Sequence, residues 1–354
     1  SDGLEDLDID VTTLMEQWIN STGNEAKLGV KTNHGFEIKL TDTYEGYFSS
    51  SSGKDTSTEI HNLNGAKKSY YTKKFFGRET EFFFKKPILE AQFDDAKQDD
   101  RANLQIKSAL LTNAQNLNTL YFYNRYKGQL VDIAGSDSNV PRLKLYYSSG
   151  SVPEGDPRGF LNSSHAAVGH LDATRVSKGI YKTQLAVTSS IVTDTYPYLV
   201  DVWSYSSQEV LTGSVMTPKS FTPKTLENTT SFVLSMTNLK QQYGRNDHPK
   251  IRLYAREKNW SPNIYTTAKD KPQNQLIYSG SYSVVRIADE LTVVDYGTGS
   301  IKSTSLSYDE NGNYFEFRMS MLEPGYQYGF KFSIYDEYTN SYLEQPHIFK
   351  FRVV

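Results

Sequence analysis

Basic and aromatic side chains crowd together between residues 67 and 86. Seven Lys and Arg residues share this stretch with seven Tyr and Phe rings and only two Glu residues. Cations beside exposed rings can bind single-stranded nucleic acid or anionic glycans. The same pattern also fits strands whose rings are buried on one face or against neighbouring subunits, while lysines protect a sheet edge. The candidate binding residues are Tyr70, Lys73, Lys74, Phe75 and, further along the chain, Trp260.

The charge of the whole chain favours the second interpretation. The sequence holds 38 Lys and Arg residues against 41 Asp and Glu residues, a formal net charge of −3. Proteins that coat nucleic acid carry a basic surplus. Nucleic acid is therefore not an expected partner.

The sequence lacks the common catalytic and metal-binding signatures. It contains no Gly-x-Ser-x-Gly, no His-Glu-x-x-His, no phosphate-binding loop and no dinucleotide-binding glycine motif. It has no cysteine, which excludes disulfides, thiolate metal sites and cysteine nucleophiles. His165 and His170 are five residues apart, a spacing that places them on different faces of a strand or helix. We predict that the protein is not an enzyme and binds no cofactor and no metal.

Two acidic stretches resemble calcium ligands. Residues 309–313 begin like a calcium loop, but Tyr314 stands where the turn glycine belongs, and a hairpin turn at Asn311-Gly312 explains the stretch better. Residues 94–101 contain four aspartates, which could bind calcium between domains. A charged run of this kind usually forms a solvated linker, and we place a domain junction there.

The composition predicts a mainly β protein. Much of the apolar side-chain surface belongs to 26 Tyr and 18 Phe residues, whereas the chain has only 5 Met residues. Aromatic and β-branched residues favour strands, and Ser, Thr, Asn and Gly favour turns.

No apolar run reaches the ~18 residues of a membrane-spanning helix, so a membrane is not an expected partner. The chain does not begin with Met, and we expect it to be processed or to be a piece of a longer protein.

Local patterns predict the individual elements. Alternation predicts a strand at Leu7–Val11, and apolar spacing predicts a short helix that carries Trp18 into a core, with a capping box at Thr13 and Glu16. Aromatic strands follow over residues 69–93. Five more strands are predicted at 119–126, 142–147, 179–187, 196–205 and 210–216.

Near the C-terminus, the sequence Leu322-Glu323-Pro324-Gly325 precedes an alternating strand that begins with tyrosines. This pattern resembles the tyrosine corner of fibronectin type III and immunoglobulin-like sandwiches, in which a tyrosine hydroxyl bonds to upstream backbone. Tyr328 is the expected corner residue and Tyr326 the alternative.

The predicted fold class is therefore mainly β. A jelly-roll-like β-sandwich at residues 1–97 would carry the one short helix. Immunoglobulin-like β-sandwiches would follow at residues 98–222 and 223–354.

The N-terminal region resembles a known family. Residues 10–18, with Asp-Val-Thr leading into a helix that bears Trp18, and residues 33–38, with Asn-His-Gly-Phe, look like the later half of the DNRLRE-type jelly-roll domain, a module similar to carbohydrate-binding modules. In that domain several strands precede the Asp-Val-Thr motif, whereas only nine residues precede Asp10. We expect the missing half to lie on another segment or to be supplied by a neighbouring chain.

A second resemblance extends over most of the chain. Residues 71–78, 82–91, 116–121 and 313–326 are similar to virion structural proteins of tailed phages, particularly marine ones. The resemblance implies a non-enzymatic virion protein on the exterior of the head, neck or tail, in a decoration, appendage or adhesion role. Its expected partners are other virion proteins and copies of itself, with a host-surface glycan as a further candidate. The alternative is a secreted or surface carbohydrate-binding or adhesive module, whose exposed rings would stack on sugars.

Overall fold

A computed structural model describes residues 7–20, 29–36, 43–44, 47, 65–67, 74–133, 140–223, 231–258 and 274–354. These residues are mainly β, with several sheets and one α-helix near the N-terminus, which confirms the predicted fold class. The chain divides into two compact units, residues 1–89 and 90–354. The predicted domain boundaries at residues 97 and 222 remain predictions.

The first unit contains the predicted helix. Helix α1 spans Thr12–Ile19. At the start of the helix, Asp10 Oδ1 accepts a hydrogen bond from Thr12 N at 2.9 Å. This bond takes the place of the predicted capping box of Thr13 and Glu16. Trp18 is half-buried, and its ring packs on Phe36 with 5.0 Å between centroids. Trp18 and Phe36, one from each of the two N-terminal stretches that carry the resemblance, thus lie against each other.

Two predicted strands in the first unit are wrong. Residues 7–11 form no β-ladder, and Leu7 and Ile9 are exposed. Within the aromatic run, Phe83–Lys85 forms a 3-10 helix and the flanking residues are extended without a partner strand. Pro87 lacks the N–H that a ladder needs, and aromatic content alone does not supply a neighbouring strand. The jelly-roll assignment remains a prediction, because residues 37–42 and 68–73 lie outside the described residues.

Residues 105–220 form the first sandwich of the second unit. Its strands are β1 Gln105–Ile106, β2 Asn118–Tyr123, β3 Arg125–Tyr126, β4 Gln129–Leu130, β5 Arg142–Ser148, β6 Glu154–Arg158, β7 Phe160–Leu161, β8 Ala167–Val168, β9 Leu171–Asp172, β10 Thr174–Ser177, β11 Ile180–Leu185, β12 Tyr198–Tyr205, β13 Gln208–Met216 and β14 Lys219–Ser220. All five strands predicted between residues 119 and 216 are present. The main sheets have the orders β10-β11-β2 and β13-β12-β5-β6, with β9 also paired to β5.

The core of the first sandwich lies between these two sheets. Phe122 of β2 and Tyr181 of β11 are buried in one cluster with Leu145 of β5 and Trp203 of β12. The rings of Phe122 and Trp203 stack with 5.4 Å between centroids. Alternate residues of each strand supply this core, as expected for two facing antiparallel sheets.

Residues 232–353 form the second sandwich. Its strands are β15 Phe232–Met236, β16 Gln242–Tyr243, β17 Lys250–Glu257, β18 Gly280–Arg286, β19 Thr292–Val294, β20 Ser307–Asp309, β21 Gly312–Glu316, β22 Gln327–Asp336, β23 Ser341–Glu344 and β24 Phe349–Val353. The sheets have the orders β15-β17-β21-β20 and β16-β24-β22-β18-β19, with β23 paired to β22. The core is aromatic: the Phe315 ring lies 4.4 Å from Tyr282 and 5.0 Å from Phe330 between centroids.

The two turn predictions for this sandwich are confirmed. The Tyr328 hydroxyl donates to Glu323 O at 2.9 Å, and Tyr328 is fully buried, whereas Tyr326 is 39% exposed. Tyr328 is therefore the corner residue. The predicted hairpin joins β20 to β21, and Gly312 adopts a φ of 101° at its end. Glycine suits this left-handed backbone.

We expect Tyr328→Phe to lower the free energy of unfolding of the second unit by about 1 kcal/mol, the value of a typical hydrogen bond. Tyr328→Ala should cost about 3 kcal/mol or more, because it also leaves a cavity. Denaturant titration of the full chain measures both. Tyr326→Phe is the matched control, and a larger effect of that substitution than of Tyr328→Phe would contradict the assignment.

Residues 97–101, here called the junction segment, connect the two sandwiches. On one side the segment pairs with β20: Tyr308 N donates to Lys97 O and Asp99 N donates to Tyr308 O, both at 3.0 Å. Lys97 N also donates to Ser307 Oγ at 3.0 Å. The segment thereby covers an edge of the second sandwich.

On its other side the junction segment bonds to β2 of the first sandwich. Asp100 begins a 3-10 helix, Asp100–Asn103, and its Oδ2 accepts from Thr119 N at 2.7 Å. Arg101 Nη2 donates to Tyr121 O at 2.7 Å. Side chains thus satisfy backbone groups that another strand would otherwise have to bond.

A buried ion pair fixes the segment to the first sandwich. Arg101 Nη2 lies 2.7 Å from Asp201 Oδ2 on β12, and the Asp201 side chain is fully buried. Trp203 Nε1 donates to the same oxygen at 2.6 Å. Arg101 Nη1 also bonds Asp99. The interpretation of residues 94–101 as a solvated linker is therefore wrong for Asp99, Asp100 and Arg101.

Burial changes the acidity of these groups. It raises the pKa of Asp99 and of Asp100 to about 6 in each case, despite the hydrogen bonds that both carboxylates accept. Burial alone would lower the pKa of Arg101, but Asp201 and Asp99 outweigh that effect and raise it. Arg101 therefore stays charged, and the two aspartates of the segment are the groups that can change charge.

Gly213 on β13 leaves room for the Asp201 carboxylate. A Cβ at this position would lie 2.0 Å from Asp201 Oδ1. The pairing of β12 with β13 shifts register between Val200 and Val202, directly around Asp201. Only glycine fits this close approach.

We expect Gly213→Ala to destabilise the full chain by about 1 to 3 kcal/mol, since the methyl group must displace a buried, paired carboxylate. Thermal unfolding measures this cost. Gly150→Ala is the control, because nothing lies within 4 Å of a Cβ there. Equal effects of the two substitutions would show that the Asp201 pocket is not tightly packed.

Candidate functional site

Residues 74–89 of the first unit present large apolar side chains to solvent. Phe75 is 47% exposed, Phe82 is 56% exposed, and Phe76, Ile88 and Leu89 are similarly open. We call residues 74–89 the aromatic surface. A soluble monomer rarely exposes several large apolar side chains side by side unless they contact a partner.

A tight turn brings two of these rings together. Thr80 N donates to Gly77 O at 3.1 Å, and Phe82 N donates to Thr80 Oγ1 at 3.4 Å. The chain reverses, and the rings of Phe76 and Phe82 meet edge to face with 5.8 Å between centroids. The rings therefore form a small apolar cluster rather than separate exposed side chains.

Basic residues occur along the same stretch of chain. Lys74, Arg78, Lys85 and Lys86 belong to the aromatic surface, and Glu79 and Glu81 are its acidic residues. Four cations and two anions over residues 74–86 leave a local charge of +2. The surface can thus bury rings against an apolar contact while its basic residues attract an acidic one.

The predicted binding residues are only partly covered by the structure. Lys74 and Phe75 are both exposed, next to Phe76. Tyr70, Lys73 and Trp260 lie outside the described residues. The predicted set omitted Phe82, which the turn at residues 77–80 brings back to Phe76. A Gly followed by Thr at this spacing was the sequence signal for that turn.

The acidic and histidine candidates have structural partners. Asp309 accepts from Arg252 Nη1 at 2.6 Å and from Nη2 at 2.9 Å. Burial would raise the pKa of Asp309, but the bonds from Arg252, together with the Asn311 N–H and the charge of Lys250, outweigh it and hold the pKa below its ordinary value. His165 Nε2 bonds Asn113 O at 3.0 Å. Over the ranges that the structure describes, no group of three or more His, Asp and Glu side chains is arranged to hold a metal ion.

Comparison with known proteins identifies no family. No protein-family model matches the sequence, and no curated protein matches it significantly. Among solved structures, Escherichia coli alpha-2-macroglobulin activated by porcine elastase has a TM-score of 0.22 at 12% identity, and the match covers 73% of this chain and 20% of that chain. Drosophila OTK extracellular domains 3–5 have a TM-score of 0.18 at 9% identity, and the match covers 74% of this chain and 64% of that one. TM-scores this low do not establish a shared fold.

Helices in the described part of the chain are too short or too polar to cross a membrane.

We expect Phe75→Ala and Phe82→Ala to change the free energy of unfolding by no more than about 0.5 kcal/mol, because both rings are half-exposed. Phe315→Ala, in the aromatic core of the second sandwich, should cost about 3 to 5 kcal/mol. Chemical denaturation of the full chain compares the three. A large cost at Phe75 or Phe82 would mean that these rings are part of a core, not of a surface.

Proposed function

We propose that the protein is a non-enzymatic structural protein of a tailed-phage virion, located on the exterior of the head, neck or tail. There it would contact other virion proteins and copies of itself. The aromatic surface is the observation that carries this proposal. Its rings are exposed in the single chain and become buried if a neighbouring subunit covers them.

The energetics favour such a contact. Burying apolar surface contributes about 25 cal/mol per Å², and a half-exposed Phe ring still has much of its area to bury. Aromatic residues and Arg are enriched at the centres of protein interfaces. The aromatic surface, which holds the Phe76–Phe82 pair and Arg78, has this composition.

The resemblance of the sequence to virion proteins agrees with the β-sandwich architecture. Two sandwiches that belong to one compact unit and are joined by the junction segment could serve as a building block of a particle. The alternative, a carbohydrate-binding or adhesive module, would use the same exposed rings to stack on sugars.

Mass spectrometry of purified phage particles that encode this chain tests the proposal. We expect the chain in the particle at a fixed ratio to the major structural proteins. A phage carrying Phe75→Ser and Phe82→Ser together should incorporate at least tenfold less of it, while Leu110→Ser, an exposed apolar position of the second unit, should incorporate normally.

Absence of the chain from wild-type particles would overturn the proposal. Normal incorporation of the double variant would retain a virion role but remove the aromatic surface from it. Binding of the full chain to a glycan array, lost in the double variant, together with absence from particles, would establish the carbohydrate-binding alternative.

A further inference from the structure

The junction between the two sandwiches holds more acid than base. The Arg101 guanidinium bonds two carboxylates: its Nη1 bonds Asp99, and its Nε and Nη2 donate to Asp201 Oδ2 at 3.2 and 2.7 Å. Asp100 lies next to Arg101 in the chain but bonds other groups. The junction therefore holds three aspartates, of which two are paired with its one guanidinium.

Asp100 has the least charge compensation of the three. Its Oδ2 accepts from Thr119 N at 2.7 Å, and its Oδ1 accepts from the Tyr308 hydroxyl at 2.9 Å. Both of these partners are neutral. An ionised carboxylate in a buried site without a neighbouring cation is energetically unfavourable, and such a group usually takes up a proton.

The geometry lets Asp100 take a proton without losing a bond. A tyrosine hydroxyl both donates and accepts. When Asp100 is protonated at Oδ1, it can donate to Tyr308 Oη, and its Oδ2 still accepts from Thr119 N. The proton therefore removes a buried charge while both hydrogen bonds are retained.

The other ionisable groups at the junction do not offset this charge. Glu310 lies close enough to Arg101 to act on its pKa. Tyr121, Tyr123 and Tyr278 surround the two aspartates, and burial raises the pKa of each, so they remain neutral. Lys219 of β14 bonds Ala102 O at 3.3 Å and Asn103 Oδ1 at 3.0 Å, just beyond the segment.

We propose that the junction segment is a proton-dependent clasp: a proton held principally by Asp100 tightens the attachment of the two sandwiches at mildly acidic pH, and its loss loosens that attachment at alkaline pH. The same segment pairs with β20 through backbone and with β2 through side chains. Any weakening at Asp100 therefore acts on both sandwiches at once.

The direction follows from proton linkage. Asp100 has a pKa of about 6 in the folded chain against an ordinary value of 3.8. A raised carboxyl pKa means that the folded junction binds the proton more tightly than the opened one. The stabilisation of the junction by this bound proton is fully present at pH values below the ordinary pKa of 3.8, and it is lost as the pH rises through about 6.

Hydrogen exchange of the full chain at about pH 5 and about pH 8 tests the clasp, with rates corrected for the intrinsic pH dependence of exchange. Protection of the Thr119 and Asp99 amides should fall about tenfold between the two conditions, because pH 5 lies about one unit below the folded pKa of about 6 for Asp100. Amides of β22 that do not contact the junction report global opening and serve as the internal reference.

Two variants separate the clasp from general charge effects. Asp100→Asn is permanently neutral, so its junction amides should show little pH dependence and should be better protected than the wild type at about pH 8. Asp172→Asn removes an exposed carboxylate paired with Arg142 and should retain the wild-type pH dependence.

Tyr308→Phe keeps the proposal testable if Asp100→Asn does not fold. It removes a donor to the ionised carboxylate, so the midpoint of the loss of protection should move to higher pH. Equal protection of the wild-type junction at both pH values would overturn the clasp. So would an unchanged pH dependence in Asp100→Asn, or an unmoved midpoint in Tyr308→Phe.

Discussion

The buried pair of Arg101 with Asp201 is the interaction on which the arrangement of the second unit depends. Asp201 lies in the middle of β12, fully buried, and its charge requires a cation at that place. Removing one partner of such a pair typically costs 3 to 5 kcal/mol, because the other charge stays buried alone. Arg101 supplies the cation from a segment that also pairs with the second sandwich. The need to neutralise one aspartate thereby fixes where residues 97–101 must lie.

Several local features make sense only around that pair. Gly213 gives the Asp201 carboxylate its space, and Trp203 donates to the oxygen that Arg101 also binds. Asp100, next to Arg101 in the segment, accepts hydrogen bonds from Thr119 N of β2 and from the Tyr308 hydroxyl of β20. The arrangement stabilises the contact between the sandwiches, but it leaves a surplus of negative charge inside it. That surplus is the physical basis for a junction whose strength depends on protons.

The sequence predicted the features whose causes are local. The five strands predicted between residues 119 and 216 follow from local sequence patterns, and the Tyr328 corner follows from a turn motif a few residues upstream. The Arg101–Asp201 pair could not be predicted in this way, since its partners are 100 residues apart and the run around Arg101 looks like a solvated linker. The strand predicted at residues 82–89 failed for a related reason. Aromatic residues favour a strand, but a β-ladder also needs a partner strand, which composition does not reveal. Lys74 and Phe75, earlier in the same aromatic run, are likewise exposed and have no partner strand.

The two units suggest a division of roles in the proposed virion protein, with the exposed aromatic surface of residues 74–89 for contacts in the first unit and two sandwiches joined by the junction segment in the second. The central claim is that one buried ion pair attaches the junction segment to the first sandwich. Native-state hydrogen exchange of Arg101→Met tests it most directly, by comparing opening free energies of the Thr119 and Asp99 amides at the junction with those of β22 amides in the full chain. Our account predicts that the substitution lowers the opening free energy of the junction amides by more than it lowers that of the β22 amides. An unchanged opening free energy at the junction, or an equal drop at both places, would contradict it.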